Sequence, residues 1–501
     1  MNKQITRLAV GALVLLSALI VGTTYWQTFA VAGLADRQDN ALARVAQFTV
    51  DRGKIYTARG HVPLAINDKR KVDGQTYYFR KYPNGYFAPH VVGYSTQSRS
   101  RAGIERSQND YLTGANGDFS SVTQRELDKL KGVTLEGNDL LLTLSPRAQQ
   151  TAVRQLAGKC GGAVAIEPQT GRILALASSP TYNPNAVEKK FSAITKIRTR
   201  GCSFAAPLLD RATQGLYPPG STFKVVTAAA ALDSGAYKPS SEFVDPGYCE
   251  EYGKRVSNAG NPESPETFGT VTLAQGLQHS INSVFCNIGK QIGAGKILEY
   301  AKRFGFYATP DVELPADAQS PSGLYKKHKL FAPKHPEFQV DPGRLAFGQE
   351  RMLASPLQMA MVAATVANHG VLMQPHLLQK VVSPDGKTVH KVKPEKVRRV
   401  ISRRTADALT QMMRSVVTGG TATNLASSGI DLAGKTGTAE IGVNGKYDTW
   451  FIAFAPASNP KVAVAVALEN QTGFGATTAG PIANSIVQAV LPARSNNEGS
   501  G

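Results

Sequence analysis

Ser221 and Lys224 stand three residues apart in Tyr217-Pro-Pro-Gly-Ser-Thr-Phe-Lys, ahead of the helix-forming run Val225-Val-Thr-Ala-Ala-Ala-Ala-Leu232. On one helical turn two such residues share a face and can hydrogen-bond. Pro-Pro-Gly stops any earlier helix and places the serine at the N-terminus, where free backbone N–H groups and the dipole favour a developing oxyanion. A lysine serves as base only when neutral, so this chemistry needs desolvation or a cationic neighbour to lower its pKa. Alone, the pair is weak: a capping serine and a solvated lysine on a surface helix explain most such matches.

A second motif, Ser280-Ile-Asn282, opens Asn282-Ser-Val-Phe-Cys-Asn-Ile-Gly within helical texture. Its hydroxyl could relay a proton and its amide could hold a substrate carbonyl or backbone group, although Ser and Asn also cap helices. The third is Lys435-Thr-Gly437-Thr438, inside Leu432-Ala-Gly-Lys-Thr-Gly-Thr-Ala-Glu440. It offers a cation and hydroxyls for a carboxylate, with Gly437 letting a substrate backbone approach. Its bland counterpart is a plain glycine-containing strand. Gly429-Ile-Asp-Leu-Ala-Gly-Lys-Thr436 also satisfies the phosphate-loop pattern. Such a loop follows a strand and opens a helix, whereas Ser427-Ser-Gly is no strand and β texture with an Asn444-Gly445 turn follows, so that reading is rejected.

The elements that must position these residues read as α+β: an antiparallel sheet with helices, a small mixed N-terminal domain and one N-terminal transmembrane helix. Gly162-Ala-Val-Ala-Ile-Glu and Arg172-Ile-Leu-Ala-Leu-Ala-Ser-Ser form one hairpin; Trp450-Phe-Ile-Ala-Phe-Ala and Lys461-Val-Ala-Val-Ala-Val-Ala-Leu-Glu form another. Helices are expected at Phe223–Leu232, Leu273–Gly289, Pro356–Asn368, Arg404–Val417 and Ala479–Leu491. Before residue 160, Phe48–Arg52 and Tyr77–Arg80 look strand-like, Pro83-Asn-Gly85 a turn, and Ser121–Leu130 helical. No solenoid repeat is visible.

Length predicts two or three domains. The formal charge of +19 is spread along the chain, with short clusters only at Lys69-Arg70-Lys71 and Arg398-Arg399. That distribution argues against nucleic-acid binding and for a basic surface facing anionic lipid or wall polymers. Leu8 to Trp26 is an uncharged run of about 19 residues, long enough to span a hydrocarbon core. Lys3 and Arg7 before it, and Tyr25-Trp26 at its far end, predict an uncleaved anchor with everything after residue 30 outside. A cleaved signal peptide would end in small residues rather than Tyr-Trp-Gln. The cysteines, Cys160, Cys202, Cys249 and Cys286, lack CxxC or zinc spacing; bridges and buried thiols are equally open.

In order and in one domain, Ser-x-x-Lys, Ser-x-Asn and Lys-Thr-Gly form the pattern of penicillin-recognising serine acyltransferases. The sequence resembles a class B (monofunctional) penicillin-binding protein of the actinobacterial PbpA type. Tyr-Pro-Pro-Gly-Ser-Thr-Phe-Lys, Ala-Gly-Lys-Thr-Gly-Thr-Ala-Glu and Val164-Ala-Ile-Glu-Pro-Gln-Thr-Gly-Arg through Asn185 carry the likeness. Arg52-Gly-Lys-Ile55 and Gly103-Ile-Glu-Arg106 match its N-terminal signatures. Arg52 to Gly60 departs from the usual Asp-Arg-Asn-Gly ending, and C-terminal PASTA repeats are missing.

The resemblance implies the serine β-lactamase/penicillin-binding-protein transpeptidase fold over 159–495. It implies an anchor over 1–30, a pedestal or dimerisation-like domain over 31–158 and a tail over 496–501. It also implies a D,D-transpeptidase that cross-links peptidoglycan stem peptides, with possible carboxypeptidase side activity and inhibition by β-lactams. Ser221 would be nucleophile, Lys224 its base and Ser280 the proton relay. Asn282 would orient the peptide amide, and Lys435, Thr436 and Thr438 would hold the terminal carboxylate beside Gly437. The N–H groups of Ser221 and Thr438 would form the oxyanion hole. No metal or organic cofactor is implied; a RodA/FtsW (SEDS) glycosyltransferase is the implied membrane partner. A β-lactamase, a β-lactam sensor and a catalytically idle scaffold are the rivals. The single anchor with a short cytoplasmic tail and the intact motifs count against them. His279 reads as a packed helix residue, Trp450 as core beneath the sheet, and the Asn470-Gln-Thr sequon as incidental.

Overall fold

The computed structural model describes residues 2–28, 48–115, 134–199, 201–261, 264–442 and 445–491. The apolar N-terminal run lies in one helix, Asn2–Thr28, whose large apolar side chains from Leu8 to Val21 are exposed. At 1.5 Å per residue it is long enough to cross a bilayer, as expected of a membrane anchor.

The two expected hairpins join in one five-stranded antiparallel sheet. Its order is Ala433–Glu440, Tyr447–Ala455, Val462–Gln471, Gly161–Ile166 and Ile173–Ser179. Side chains alternate between the faces of a strand. Val164, Leu176, Trp450, Ile452 and Phe454 therefore meet one helical layer, while Ala163, Phe451, Ala453, Val464 and Val466 meet another. Because both faces are covered, these strands read as unbroken apolar runs. Helix Ala479–Val490 and helix Pro146–Leu156 cover the second face through Ile482, Ile486, Ala152 and Leu156. Helix Pro356–Ala367 is buried along its whole length on the other side.

Two expected elements differ, and a third lies outside the described residues. The helix expected over Leu273–Gly289 is two: Leu273–Gln278, opened by a Thr272–Gln275 capping box, and Asn282–Arg303. Between them Ser280 adopts φ 60°, a left-handed conformation that ends the first helix. Phe48–Arg52 is a turn with a single bridging residue, Asp51, rather than a strand. Ser121–Leu130 lies outside the described residues.

A second sheet runs in the order Thr388–Lys391, Leu378–Val382, Asp139–Leu142, Ile55–Thr57, Pro63–Val72 and Gln75–Lys81. It draws on both of the segments expected to be separate domains, so the chain before residue 158 is bound to the rest through backbone hydrogen bonds. All four cysteines are bridged, Cys160 to Cys202 and Cys249 to Cys286. Cys249, Glu251 and Cys286 form the one group among the described residues with metal-ligand proximity, but its sulfurs are spent in the disulfide.

The two N-terminal signature segments converge on one buried ion triad. Arg52 lies 3.0 Å from Glu105, and Arg80 lies 2.6 Å from its other oxygen, all three nearly inaccessible to water. Gly53 beside it can have no side chain, since a Cβ would fall 1.8 Å from the Asn138 carbonyl oxygen. Burial alone would raise the Glu105 carboxyl; Arg80 and Arg52 outweigh it and hold it below the usual range. A depressed carboxylate stabilises the fold above its unfolded pKa, and that contribution disappears as pH falls through the folded one. Glu105→Gln strands two buried guanidinium groups and is expected to cost about 3–5 kcal/mol. Denaturant unfolding of the variant should show a clearly lower midpoint at neutral pH; an unchanged midpoint would show the triad to be energetically idle.

Candidate active site

Ser221 lies in the 3-10 turn Gly220–Phe223, directly before the helix Lys224–Asp233. Gly220 has φ 49°, and a Cβ there would lie 3.0 Å from the Thr438 carbonyl oxygen, so both conformation and proximity call for glycine. The turn is tied down from both sides. The Trp450 indole N–H donates to the Pro218 carbonyl at 2.8 Å, and the Thr222 hydroxyl to that of Pro219 at 2.7 Å. Trp450 is fully buried, as expected, with Tyr217 packed edge-on against it.

Lys224 is wholly inaccessible to water. Rather than bonding Ser221, its ammonium donates to the Ser280 carbonyl at 2.6 Å and to Asn282 Oδ1 at 2.7 Å, with Ser280 Oγ at 3.3 Å. Lys435, equally buried, donates to the same Ser280 Oγ at 2.8 Å and to the Thr436 carbonyl at 3.0 Å. One hydroxyl thus lies between two lysines. The left-handed Ser280 turns both its carbonyl and its hydroxyl toward Lys224; a continuous helix would spend that carbonyl on an N–H four residues on. Burial, then the nearby Lys435, push Lys224 well below the ordinary lysine value. Burial also brings Lys435 down to about 7.

Asn282 opens its helix and donates from Nδ2 to the Ser257 carbonyl at 2.9 Å, which leaves Oδ1 for Lys224. Thr436 and Thr438 follow Lys435 along the Ala433–Glu440 strand. The Thr436 hydroxyl pairs with that of Thr421 at 2.7 Å, and Thr438 Oγ1 accepts the Gly475 N–H at 3.4 Å. A Cβ on Gly437 would meet Thr222, the Pro219 carbonyl and Trp450 at 2.9–3.0 Å. The missing side chain therefore lets the strand pack on the serine turn, where the sequence reading assigned it to substrate approach. This strand ends the sheet order, so its outer backbone groups have no strand partner within the sheet.

Lys224, Ser280, Asn282 and Lys435 thus form one hydrogen-bonded cluster, with Ser221 in the adjoining turn and Thr436 to Thr438 along the strand. Sequence reasoning missed Thr421, Gly475 and the Ser257 carbonyl. The one signal for Thr421 was the Gly419-Gly420 pair before it: a Cβ on Gly420 would lie 2.3 Å from the Gln278 carbonyl oxygen. Of the other two, Ser257 ends the short strand Lys254–Ser257 and Gly475 lies in a turn, neither within a motif. His279 packs against Phe268, ring centres 5.2 Å apart. The rejected phosphate loop is excluded by geometry as well, since Lys435 and Thr436 sit within a strand rather than at a helix N-terminus.

Residues 161–488 match the family model of the penicillin-binding protein transpeptidase domain. Residues 52–140 match that of the penicillin-binding protein A dimerisation domain. The chain is 34% identical to the peptidoglycan D,D-transpeptidase PbpA of Mycolicibacterium smegmatis, over 98% of this chain and 99% of that one. It is 30% identical to the peptidoglycan D,D-transpeptidase MrdA of Escherichia coli, over 85% of this chain and 73% of that one. Among solved structures it is similar to penicillin-binding protein A from M. tuberculosis in its ceftriaxone acyl-enzyme complex. There the TM-score is 0.77 at 30% identity, covering 89% of this chain and 100% of that one. With three motifs gathered at one sheet edge and this likeness along nearly its whole length, the chain belongs to the penicillin-binding protein transpeptidase family.

Proposed function

We propose that the chain is a peptidoglycan D,D-transpeptidase that cross-links stem peptides through an acyl-enzyme on Ser221 and is trapped there by β-lactams. The observation that carries this reading is the pair of buried lysines around the Ser280 hydroxyl, 3.3 and 2.8 Å from it, with Lys224 biased toward its neutral form. Nothing about a structural lysine requires that arrangement.

The stem peptide enters along the free edge of the Ala433–Glu440 strand, adding its backbone as a further strand. Lys435, Thr436 and Thr438 hold the terminal D-Ala carboxylate. Neutral Lys224 takes the Ser221 proton as Oγ attacks the penultimate D-Ala carbonyl, and the N–H groups of Ser221 and Thr438 stabilise the oxyanion. As the C–N bond breaks, the proton passes from Lys224 through the Ser280 hydroxyl to the departing D-Ala amine. Asn282 orients the peptide amide. An amine from a neighbouring stem then attacks the ester carbonyl, forming the cross-link and returning Ser221 its proton; water in its place gives carboxypeptidase activity.

Lys3 and Arg7 before the apolar helix favour an N-terminus in the cytoplasm and the site outside the membrane. Two disulfides suit that oxidising side. A glycan polymerase of the RodA/FtsW (SEDS) family is the partner in the membrane, supplying the strands to be joined. No nucleic acid, metal or organic cofactor enters the scheme.

Intact mass spectrometry of the detergent-solubilised chain with benzylpenicillin tests the nucleophile. The wild type should gain one adduct that decays slowly. Ser221→Ala should acylate at least about 10⁴-fold more slowly, and a mutant still trapped covalently would sink the assignment. The pH profile tests the base. Acylation should fall as pH drops through the lowered Lys224 pKa, because the ammonium form accepts no proton. Lys435→Met removes the cationic neighbour, so the acid limb should move to higher pH whatever happens to the plateau; a limb that stays or moves lower contradicts Lys224 as base.

A further inference from the structure

Asp245 ends the short strand Glu242–Asp245, 2% exposed, and its carboxylate has no cationic partner among the ion pairs of the described residues. It is satisfied entirely by neutral donors. The Asn258 amide reaches both of its oxygens, at 3.0 and 2.9 Å. The Gly247 and Phe268 N–H groups donate at 2.9 Å each, and the Ser283 hydroxyl donates as well. A buried carboxylate held by so many donors is costly to build and strict in what it orders.

Two amides downstream follow from it. With Asn258 Nδ2 committed to Asp245 and to the Glu266 carbonyl at 2.9 Å, its Oδ1 faces the other way, where it accepts the Ser283 N–H at 3.1 Å. Ser283 is the second residue of the helix that Asn282 opens, so this bond satisfies one of the helix's unpaired N–H groups. The residue before Asn258 is Ser257, whose carbonyl takes Asn282 Nδ2 at 2.9 Å and so points Asn282 Oδ1 at Lys224, 2.7 Å away. The Cys249–Cys286 disulfide clamps the hairpin of Tyr248–Glu251 and Lys254–Ser257, which ends at Ser257, to the same helix one turn beyond Asn282. We propose that Asp245 is a positioning residue for the acylation step: through Asn258, Ser257 and Ser283 it fixes the direction of the Asn282 amide and thereby the seat of Lys224. The inference rests on the reading of Ser221 and Lys224 as nucleophile and base.

In Asp245→Asn an amide NH₂ would confront that of Asn258 and the Phe268 N–H, leaving Asn258 held by one oxygen and the Glu266 carbonyl and loosening the acceptor for Ser283 and the Ser257 carbonyl. Turned the other way, Asn282 would present N–H groups to Lys224, which disfavours the ammonium. The experiment is benzylpenicillin acylation of the full chain in detergent, followed across pH, beside thermal unfolding. Asp245→Asn should lower the acylation rate constant by about 30-fold with initial binding within about threefold, and should move the acid limb to lower pH. Ser283→Ala, a milder variant that keeps the fold if Asp245→Asn does not, should lose about fivefold.

A merely structural role would lower the unfolding temperature and the fraction of acylable enzyme without moving the limb. That result, or wild-type rates in folded Asp245→Asn, or in Ser283→Ala where Asp245→Asn fails to fold, overturns the proposal while leaving Ser221 as nucleophile. A wild-type chain that gains no adduct at all overturns both.

Discussion

Two lysines buried against a single serine hydroxyl set the terms for everything around them. A buried ammonium without a counter-ion is among the least tolerable groups in a protein interior, and two that share a partner repel as well. The fold contains them by giving up charge. Lys224 is pushed well down by burial and by Lys435, and Lys435 itself to about 7. Each retains neutral acceptors, the Ser280 carbonyl and Asn282 Oδ1 for one, Ser280 Oγ and the Thr436 carbonyl for the other. A carboxylate in this cluster would settle the electrostatics better, and it would hold Lys224 protonated.

That constraint explains the local backbone. Ser280 can offer a carbonyl and a hydroxyl to the same lysine only outside a regular helix, and its left-handed conformation costs of order 1–2 kcal/mol. Gly220 and Gly437 remove side chains where the serine turn meets the strand, so that Ser221 and Thr438 can belong to one site. Trp450, fully buried, then locks the turn through Pro218, converting sheet packing into the placement of one hydroxyl. Strain at Ser280 is carried by rigid surroundings: the Thr272–Gln275 capping box on one side and the Asp245–Asn258 network on the other.

Much of this was legible in the residues. The unbroken apolar runs around 162–179 and 450–469 announced their hairpins because short apolar runs bounded by turn residues are local signals, and Ser221, Lys224 and Lys435 fell on the helix start and the strand that their neighbours implied. What could not be read was non-local or contrary to propensity. Nothing in Gln278-His-Ser-Ile-Asn282 contains the Gly or Pro that usually marks a break, so one helix was expected where tertiary bonds to Lys224 and Lys435 impose two. The pairing of Leu378–Val382 with Asp139–Leu142 joins strands far apart in the chain and leaves no local trace. Gly437 was assigned its freedom for the substrate's sake because a sequence shows a missing side chain but not which neighbour would have struck it.

The three motifs are weak singly and specific together for a reason visible in the geometry. Lys224 and Ser280 are 56 residues apart, Ser280 and Lys435 155, and each pair meets within a hydrogen bond's length. Closing long segments adds little entropy per added residue, so the intervening loops are free to differ in length at small cost. Displacing a meeting point by an ångström, by contrast, forfeits a hydrogen bond to a buried lysine. The fold therefore concentrates its sequence demands in a few residues at each of three element ends and relaxes them between. A signature of short, ordered, widely spaced motifs is what such a site must write into its chain.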